Sequence, residues 1–253
     1  IKTFLGVENR REALRGADFI VNAIQVGGYD PCTIIDFDIP KKYGLRQTIA
    51  DTLGIGGIMR ALRTIPVMAD FARDTEDVCP DAWLINFANP SGLVTEALQR
   101  YAPETHAIGL CNGPIGYQMR AARMTGVADP FSIELDYLGL NHLGWIRGAR
   151  AAGRDVWPEF LAAAIQEASE DDDPVVSAAV LRELGVVCTS YLHYYYNTGK
   201  VLQQQQKGGP SRAERVMTIE GDLLKRYQEP ELTALPEELM ERGGAYYSTV
   251  AVQ

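Results

Sequence analysis

The sequence predicts an α/β protein in which an open, mainly parallel sheet flanked by helices is followed by a mainly helical α+β domain. The first half predicts the sheet, because short β-branched apolar segments alternate with segments whose apolar residues recur every three or four positions. The second half differs, since only one segment there alternates like a strand and the others have helical patterns. We therefore predict two domains, 1–125 and 126–253, with the parallel sheet in the first.

Apolar segments of the first half are predicted to form the parallel sheet, and the first of them reads as a buried strand. These segments are residues 17–24, 83–88 and 106–110. Helical patterns occur at residues 58–78, 93–100 and 115–124. Pro66 lies inside the first helical pattern, so we expect it to kink that helix or to divide it in two.

Residues with polar or thiol side chains follow the predicted strands directly: Gln25, Asn89 and Cys111. Ligands of parallel α/β sheets bind beyond the carboxyl ends of the strands, so we expect these three residues to line one crevice. The phosphate-binding pattern G-x-G-x-x-G is absent from the sequence. The nearest candidate, residues 54–57, is interpreted as a flexible loop before a helix.

In the second half, residues 132–138 alternate like a strand with one exposed face, and a turn at 139–142 follows. Helical patterns are residues 157–168, 178–196, 212–227 and 236–240. Tyrosines 191, 194 and 195 would share one face of the second of these helices, so at least one hydroxyl could point into a polar cavity. Most of this cluster is expected to pack on the core.

Composition excludes several classes of protein. The net charge is −9 and the basic residues are scattered, so we expect no nucleic-acid partner. The longest apolar runs are too short to cross a bilayer, and no secretion signal is recognised, so we expect no membrane partner and a cytoplasmic location. The four cysteines have no paired spacing and are expected to be reduced thiols.

Cys111 and His142 are candidate metal ligands, because each follows a strand-like segment at a glycine-containing turn. A single cysteine is usually a small buried apolar residue, and a single histidine is usually a hydrogen-bonded polar group. Together, a thiolate and an imidazole could hold a divalent metal and leave positions open for substrate oxygens. By ligand softness alone, the metal would be zinc.

Several motifs occur in an order that points to one enzyme family. They are NAIQVGG at 22–28, DTLGIGG at 51–57, INFANP at 85–90, GLCNGPIG at 109–116, GLNH at 139–142 and RGGAYYS at 242–248. With these motifs the chain resembles the family-4 glycoside hydrolases over nearly its whole length. The resemblance implies a Rossmann-like first domain, similar to lactate and malate dehydrogenases. The first strand and glycine loop of that fold are missing, so we expect a fragment truncated at both ends.

The resemblance implies a glycosidase that acts on a small glycoside and depends on NAD and a divalent metal, usually manganese. In this mechanism NAD⁺ takes hydride from C3 of the sugar, and the new ketone makes the C2 proton acidic. A tyrosine removes that proton while the metal stabilises the enolate. The C1–O bond then breaks, water adds, and NADH returns the hydride. The resemblance also implies a homodimer or homotetramer.

Site residues carry over from the family by motif. Cys111 and His142 are similar to the metal ligands. Asn89 is similar to a sugar-binding asparagine, and Gln25 and Asn89 are assigned to the cofactor.

The catalytic tyrosine is assigned to Tyr191, with Tyr195 as the alternative because the tyrosine cluster leaves the register open. Asp51 occupies the place of an acidic residue that raises the basicity of this tyrosine. Arg212 is similar to a substrate-binding arginine. Asn112 occupies a catalytic position where many relatives have an aspartate, proposed as the acid for the leaving group.

At two positions the chain differs from the usual residues of the family, and the two differences favour different substrates. Asn112 is similar to the residue of some 6-phospho-β-glucosidases. Phospho-sugar members have an arginine after the Val-Gly turn, where this chain has Asp30-Pro31-Cys32-Thr33, which is similar to the α-galactosidase branch. Arginine binds phosphate well and aspartate repels it. We therefore expect an unphosphorylated hexoside or hexuronide, with a 6-phospho-β-glucoside as the alternative.

Two other classes of function stay open. A lactate- or malate-type NAD dehydrogenase would share the fold and the Asn-Pro turn, but it needs a catalytic His–Asp pair. His106 lies inside a predicted strand, and His193 lies on the tyrosine-rich helix without an obvious carboxylate partner. The other alternative is a fragment that binds sugar or metal but cannot hold NAD.

Overall fold

The computed structural model describes residues 1–47, 52–207 and 212–239. In chain order, the helices and strands are α1 (Arg10–Leu14), β1 (Phe19–Asn22), α2 (Ile34–Lys42), α3 (Gly54–Val78), β2 (Trp83–Asn86), α4 (Ser91–Tyr101), β3 (His106–Gly109), α5 (Gly113–Thr125), β4 (Ile133–Leu140), β5 (Leu143–Ala151), β6 (Arg154–Asp155), α6 (Trp157–Glu170), α7 (Ala178–Leu184), β7 (Val187–Cys188), α8 (Leu192–Tyr196), α9 (Thr198–Gln206) and α10 (Arg212–Arg226). The predicted helix at 236–240 extends into residues outside the described part. None of the described helices is long and apolar enough to cross a membrane.

The chain divides into two compact units. The first unit contains Ile1–Leu110 and Gly209–Gln253, and the second contains Cys111–Gly208. The domains predicted from the sequence, 1–125 and 126–253, place α5 with the parallel sheet. In the structure, α5 contributes Ala121 and Ala122 to the core of the second unit. The helix α5 therefore packs with the second unit, and the predicted domain boundary stays a prediction.

The first unit contains the predicted parallel sheet, with β1, β2 and β3 as neighbours in that order. One face of the sheet, which includes Ile20 and Leu84, packs on apolar residues of α3 and α4. The opposite face includes Phe19 and Val21, which are exposed. The prediction that the first strand is buried is therefore right for the face with Ile20 and wrong for the face with Phe19 and Val21. In the described residues, α3 and α4 cover only the Ile20 face.

The helix α3 runs through Pro66 as one element, so the predicted division is wrong. Pro66 is exposed, and so is Leu62, one turn earlier. A proline removes the hydrogen bond to the carbonyl four residues before it. At this exposed position, water can satisfy the Leu62 carbonyl, so the helix continues. The first turn of α3 also contains Gly54–Gly57, which is therefore not the predicted flexible loop.

The second unit is built on an antiparallel sheet. The predicted strand at 132–138 is confirmed as part of β4, and β4 pairs along its length with β5. The sequence patterns did not predict β5. Residues of β4, β5 and α6, including Ile133, Ile146 and Phe160, form the core of this unit. The chain reverses between β4 and β5 at Asn141 and His142.

The segment predicted as one helix, 178–196, contains a helix, a strand and a second helix. The helix α7 ends at Gly185, whose φ of 61° is the left-handed conformation that terminates helices. Val187 and Cys188 then pair with Ile146 and Trp145 of β5. The prediction is wrong because hydrogen bonding to a strand more than 30 residues away outweighs the local helical pattern.

Burial of Cys188 predicts a loss of stability at alkaline pH. Burial raises the pKa of this thiol to about 11, whereas the thiol ordinarily has a pKa of 9.0. The unfolded chain then ionises first, so the stabilisation is complete below pH 9 and decreases through pH 11. We expect wild type to lose about 2 kcal/mol more unfolding free energy than Cys188→Ala between pH 8 and pH 11, measured by urea unfolding.

Cys32→Ala is the control for this measurement, because Cys32 is half-buried in the first unit. Its pH dependence should follow wild type. Equal pH dependence in wild type and Cys188→Ala would contradict the prediction.

Candidate active site

Cys111 and His142, the predicted metal ligands, lie close together in the second unit. Cys111 precedes α5, and its Sγ accepts the main-chain N–H of Gly113 at 3.4 Å. His142 lies in the turn between β4 and β5, and its Nε2 is 3.8 Å from Cys111 Sγ. The φ of His142 is 64°, a left-handed conformation that few residues other than glycine adopt. The tight turn that joins β4 and β5 requires a conformation of this kind, and it fixes the direction of the imidazole.

The separation of these two atoms fits a shared metal ion. Zinc, for example, is bound about 2.3 Å from sulfur and about 2.1 Å from imidazole nitrogen, so two such ligand atoms cannot lie more than about 4.4 Å apart. The observed 3.8 Å is within this limit. Within the described residues, no group of three or more His, Cys, Asp and Glu side chains is placed to hold a metal.

Tyr191 lies against the same pair. Its ring stacks on His142, with the ring centroids 3.9 Å apart and the planes 14° apart. Tyr191 directly precedes α8 and has helical dihedral angles. Its ring also approaches that of Tyr194, with the centroids 6.3 Å apart, as expected for two tyrosines on one face. Tyr195, the alternative base, is 68% exposed and contacts Tyr196 instead. The structure therefore places Tyr191, and not Tyr195, beside the candidate metal ligands.

Another tyrosine near this cluster, Tyr137, is a poor candidate for a base. Burial raises the pKa of Tyr137, and the neighbouring Tyr117 and Cys111 raise it further. A general base at neutral pH needs the opposite shift. Tyr137 instead has a packing role, because a Cβ placed on Gly144 would lie 2.3 Å from its hydroxyl. A larger residue at position 144 would therefore have to displace the Tyr137 ring.

In the first unit, two buried asparagines join the carboxyl ends of β1 and β2. Asn22 Nδ2 donates to Asn86 Oδ1 at 2.8 Å, and the same Oδ1 accepts the Ala88 N–H at 3.2 Å. The Asn22 side chain also accepts the N–H of Ile24. These bonds shape the loops that follow both strands. The sequence offered one sign of this pair, an asparagine at the end of each apolar strand, but no role was predicted for it.

Gln25 and Asn89 lie in those loops. The Gln25 side chain donates to Thr33 Oγ1 at 3.1 Å. The main-chain carbonyl of Asn89 accepts from the Nε of the buried Arg60 at 3.1 Å. Arg60, which no motif in the sequence singles out, thus holds the Asn-Pro turn through the Asn89 carbonyl. Cys111 belongs to the second unit, so the crevice expected to contain all three residues stays a prediction.

Three more predicted site residues are less defined by the structure. Asn112 caps α5 and is exposed, and its carbonyl accepts the Gly116 N–H. Arg212 is the first residue of α10. Asp51 lies outside the described residues. The predicted roles of all three stay predictions.

The segment after the Val-Gly turn contains a buried ion pair. The carboxylate of Asp36, with a side chain only 3% exposed, accepts from both terminal nitrogens of Arg63. These hydrogen bonds raise the pKa of Arg63. Asp30 is exposed in the same segment. The Arg63 guanidinium lies beside this turn, since a Cβ on Gly27 would be 3.4 Å from its Nε, and its charge is already balanced by Asp36.

Two family models match the chain. The model of family 4 glycosyl hydrolases matches residues 2–127. The model of the C-terminal domain of family 4 glycosyl hydrolases matches residues 137–253.

Relatives with assigned activities match much of the chain. A 6-phospho-beta-glucosidase of Escherichia coli is 37% identical over 97% of this chain and 56% of its own length. An alpha-galactosidase of Bacillus subtilis is 42% identical over 72% of this chain and 42% of its own length. The chain therefore spans about half the length of these relatives.

Solved structures show the same architecture. The 6-phospho-beta glucosidase of Thermotoga maritima, in a structure with manganese, NAD⁺ and glucose-6-phosphate, superposes with a TM-score of 0.78. The two sequences are 29% identical, and the match covers 95% of this chain and 57% of the other. The predicted fold, a Rossmann-like parallel sheet followed by a mainly helical domain, is confirmed.

Proposed function

Because this chain belongs to family 4 of the glycosyl hydrolases, we propose that it hydrolyses O-glycosidic bonds by oxidation at C3 and elimination across C1 and C2. The observation that carries the proposal is the cluster of Cys111, His142 and Tyr191. Cys111 and His142 would hold a divalent metal, and Tyr191, stacked on the histidine, would be placed to remove a proton close to it. Most glycosidases instead use two carboxylates, and this cluster of Cys111, His142 and Tyr191 contains none.

We assign NAD and a divalent metal, manganese in the first place, as the cofactors. NAD⁺ supplies reversible removal of hydride from C3, and the metal supplies positive charge close to the oxygen that becomes negative. Cys111 and His142 would hold the metal. Gln25 and Asn89, in the loops after β1 and β2, present amide groups that suit hydrogen bonds to the cofactor and the sugar.

Tyr191 would remove the C2 proton. The stacking on His142 keeps its ring beside the metal ligands, and nearby positive charge favours the phenolate. Asp51 and Arg212 keep the roles that the family resemblance implies, as a support of the tyrosine and a ligand of the substrate. Asn112 can donate a hydrogen bond to the leaving oxygen, but an amide cannot protonate it as a carboxylic acid does. The aglycone oxygen then takes its proton from another source.

Turnover in D₂O tests the mechanism. If a base removes the C2 proton, it exchanges with solvent, and we expect deuterium at C2 of the released sugar, detected by NMR. The reaction mixture contains the full chain, NAD⁺, Mn²⁺, a reducing agent and a nitrophenyl glycoside. Released sugar without deuterium at C2 would indicate direct displacement and would contradict the proposed role of Tyr191.

The substrate class follows from the charges near the Val-Gly turn. A 6-phosphate carries nearly two negative charges at neutral pH and is bound best by a free arginine. In the first unit this segment instead presents the exposed Asp30, and Arg63 is occupied by Asp36. We therefore propose an unphosphorylated hexoside or hexuronide as substrate. The similarity to 6-phospho-beta-glucosidases makes a 6-phosphoglycoside the alternative.

A panel of paired glycosides tests the substrate class. We expect kcat/KM for the best unphosphorylated glycoside to exceed that of its 6-phosphate by about 10-fold or more, the scale of one charged hydrogen bond to phosphate. Asp30→Arg is the matched variant, and we expect it to reduce this preference. A kcat/KM at least about 10-fold higher for the 6-phosphate would overturn the assignment.

Two measurements separate the rival classes. Net reduction of a keto acid by NADH without glycosidase activity would favour a dehydrogenase. Calorimetry with NAD⁺ identifies a fragment that binds sugar or metal but not the cofactor. The cytoplasmic location and the homodimer or homotetramer are part of the proposal and rest on the sequence and on the family resemblance.

A further inference from the structure

A hydrogen-bonded contact in the second unit joins the helix that follows Cys111 to the residue that precedes Tyr191. Tyr117 lies on α5, and its hydroxyl accepts the main-chain N–H of Ser190 at 2.9 Å. The same hydroxyl lies 3.1 Å from Ser190 Oγ. One phenol group therefore binds both the main chain and the side chain of Ser190.

This contact completes a continuous series of interactions that starts at Cys111 and returns to α5. Cys111 leads into α5 and lies 3.8 Å from His142. His142 stacks on Tyr191, and Tyr191 is bonded covalently to Ser190. Ser190 in turn is hydrogen-bonded to Tyr117 on α5. The position of Tyr191 is thus tied to the position of Cys111 by a route that does not pass through the metal.

The peptide on either side of Ser190 is fixed independently. The Thr189 N–H donates to the carbonyl of Gly144 on β5 at 3.1 Å, and the Ser190 carbonyl accepts the His193 N–H at 3.1 Å. Ser190 lies between a strand contact and the first turn of α8. Its own N–H, which neither of these bonds uses, is the group that Tyr117 binds.

We propose that Tyr117 is a positioning residue for proton removal, and that through Ser190 it fixes Tyr191 relative to Cys111 and His142. The inference rests on the proposed role of Tyr191 as the base. A base must lie within hydrogen-bond reach of the proton that it removes. A displacement of about 1 Å can reduce a rate by about 10²-fold. Tyr117 does not itself need to touch substrate or metal.

Tyr117→Phe tests the inference, because it removes the hydroxyl and keeps the ring. In the full chain with NAD⁺ and Mn²⁺, we expect kcat to fall by about 10–100-fold while KM and the Mn²⁺ dissociation constant change by less than about twofold. The primary isotope effect on kcat for a C2-deuterated glycoside should increase, because proton removal becomes slower. Hydrogen exchange of the Ser190 amide should become at least about 10-fold faster, a readout that does not depend on activity.

Two further variants serve as a control and as a partial loss of the contact for comparison with Tyr117→Phe. Tyr101→Phe removes a hydroxyl that is 77% exposed at the end of α4, and it should behave as wild type in every assay. Ser190→Ala removes one of the two contacts and keeps the main-chain bond, so we expect a decrease in kcat of about three- to fivefold, the scale of one neutral hydrogen bond, without a change in KM. If Tyr117→Phe does not fold, Ser190→Ala decides, and a kcat equal to wild type overturns the proposal.

A double variant shows whether Tyr117 acts through Tyr191. Added to Tyr191→Phe, the Tyr117→Phe change should lower kcat by no more than about twofold, because the group that it positions is already absent. The full single-variant effect in the double variant would overturn the proposal. Tyr191→Phe with wild-type activity would overturn the proposed base and this inference together. Inactive Tyr191→Phe with fully active Tyr117→Phe would overturn this inference alone.

Discussion

Loss of metal binding is the expected result of replacing either Cys111 or His142. Cys111→Ser and His142→Ala should weaken Mn²⁺ binding by about 100-fold or more and abolish glycosidase activity, since loss of a group behind the ligands alone costs about 10–100-fold. In the described residues, no third His, Cys, Asp or Glu joins the pair. Isothermal titration with Mn²⁺ under reducing conditions measures the effect.

The backbone at His142 offers a variant that separates metal binding from folding. Glycine adopts a φ of 64° without strain. His142→Gly should therefore stay within about 1 kcal/mol of wild-type stability while losing the metal. Cys32→Ser and His106→Ala are the matched controls for the thiol and the imidazole, and they should bind Mn²⁺ as wild type does. Unchanged Mn²⁺ affinity in Cys111→Ser or in His142→Gly would exclude that residue as a ligand.

The elements that local pattern determines were predictable. Helix α6 and strand β2 have an uninterrupted apolar period, and both are observed close to the predicted residues. Strand β7 was not predictable in this way. It has only two residues, and it forms because β5 offers a hydrogen-bonding edge. The sequence around Val187 and Cys188 contains no sign of that edge.

In the candidate site, too, local patterns predict some residues and contacts between distant residues determine the others. Cys111 and His142 could be found from the sequence because each follows a strand at a turn and each has a side chain suited to metals. Tyr191 was assigned from the family motifs with Tyr195 as the alternative, and only the structure shows which of the two rings contacts His142. Contacts between residues far apart in the chain, such as Tyr117 with Ser190, leave no local pattern at all.

Tyr191→Phe is expected to lower kcat by about 10²–10⁴-fold, the usual contribution of a general base. The substitution removes only the hydroxyl, so the stacking on His142 can remain. Mn²⁺ affinity should therefore change by less than about threefold, which separates this variant from those of the metal ligands. In D₂O, the C2 proton of recovered substrate should also stop exchanging with solvent.

Tyr195→Phe is the matched control for Tyr191→Phe, because both tyrosines belong to the same short segment and only Tyr195 is largely exposed. Its kcat should lie within about twofold of wild type, as for other exposed substitutions away from the chemistry. The reverse order, with Tyr195→Phe inactive and Tyr191→Phe active, would transfer the role of base to Tyr195. The stacked ring beside His142 would then serve only to hold the metal ligand in place.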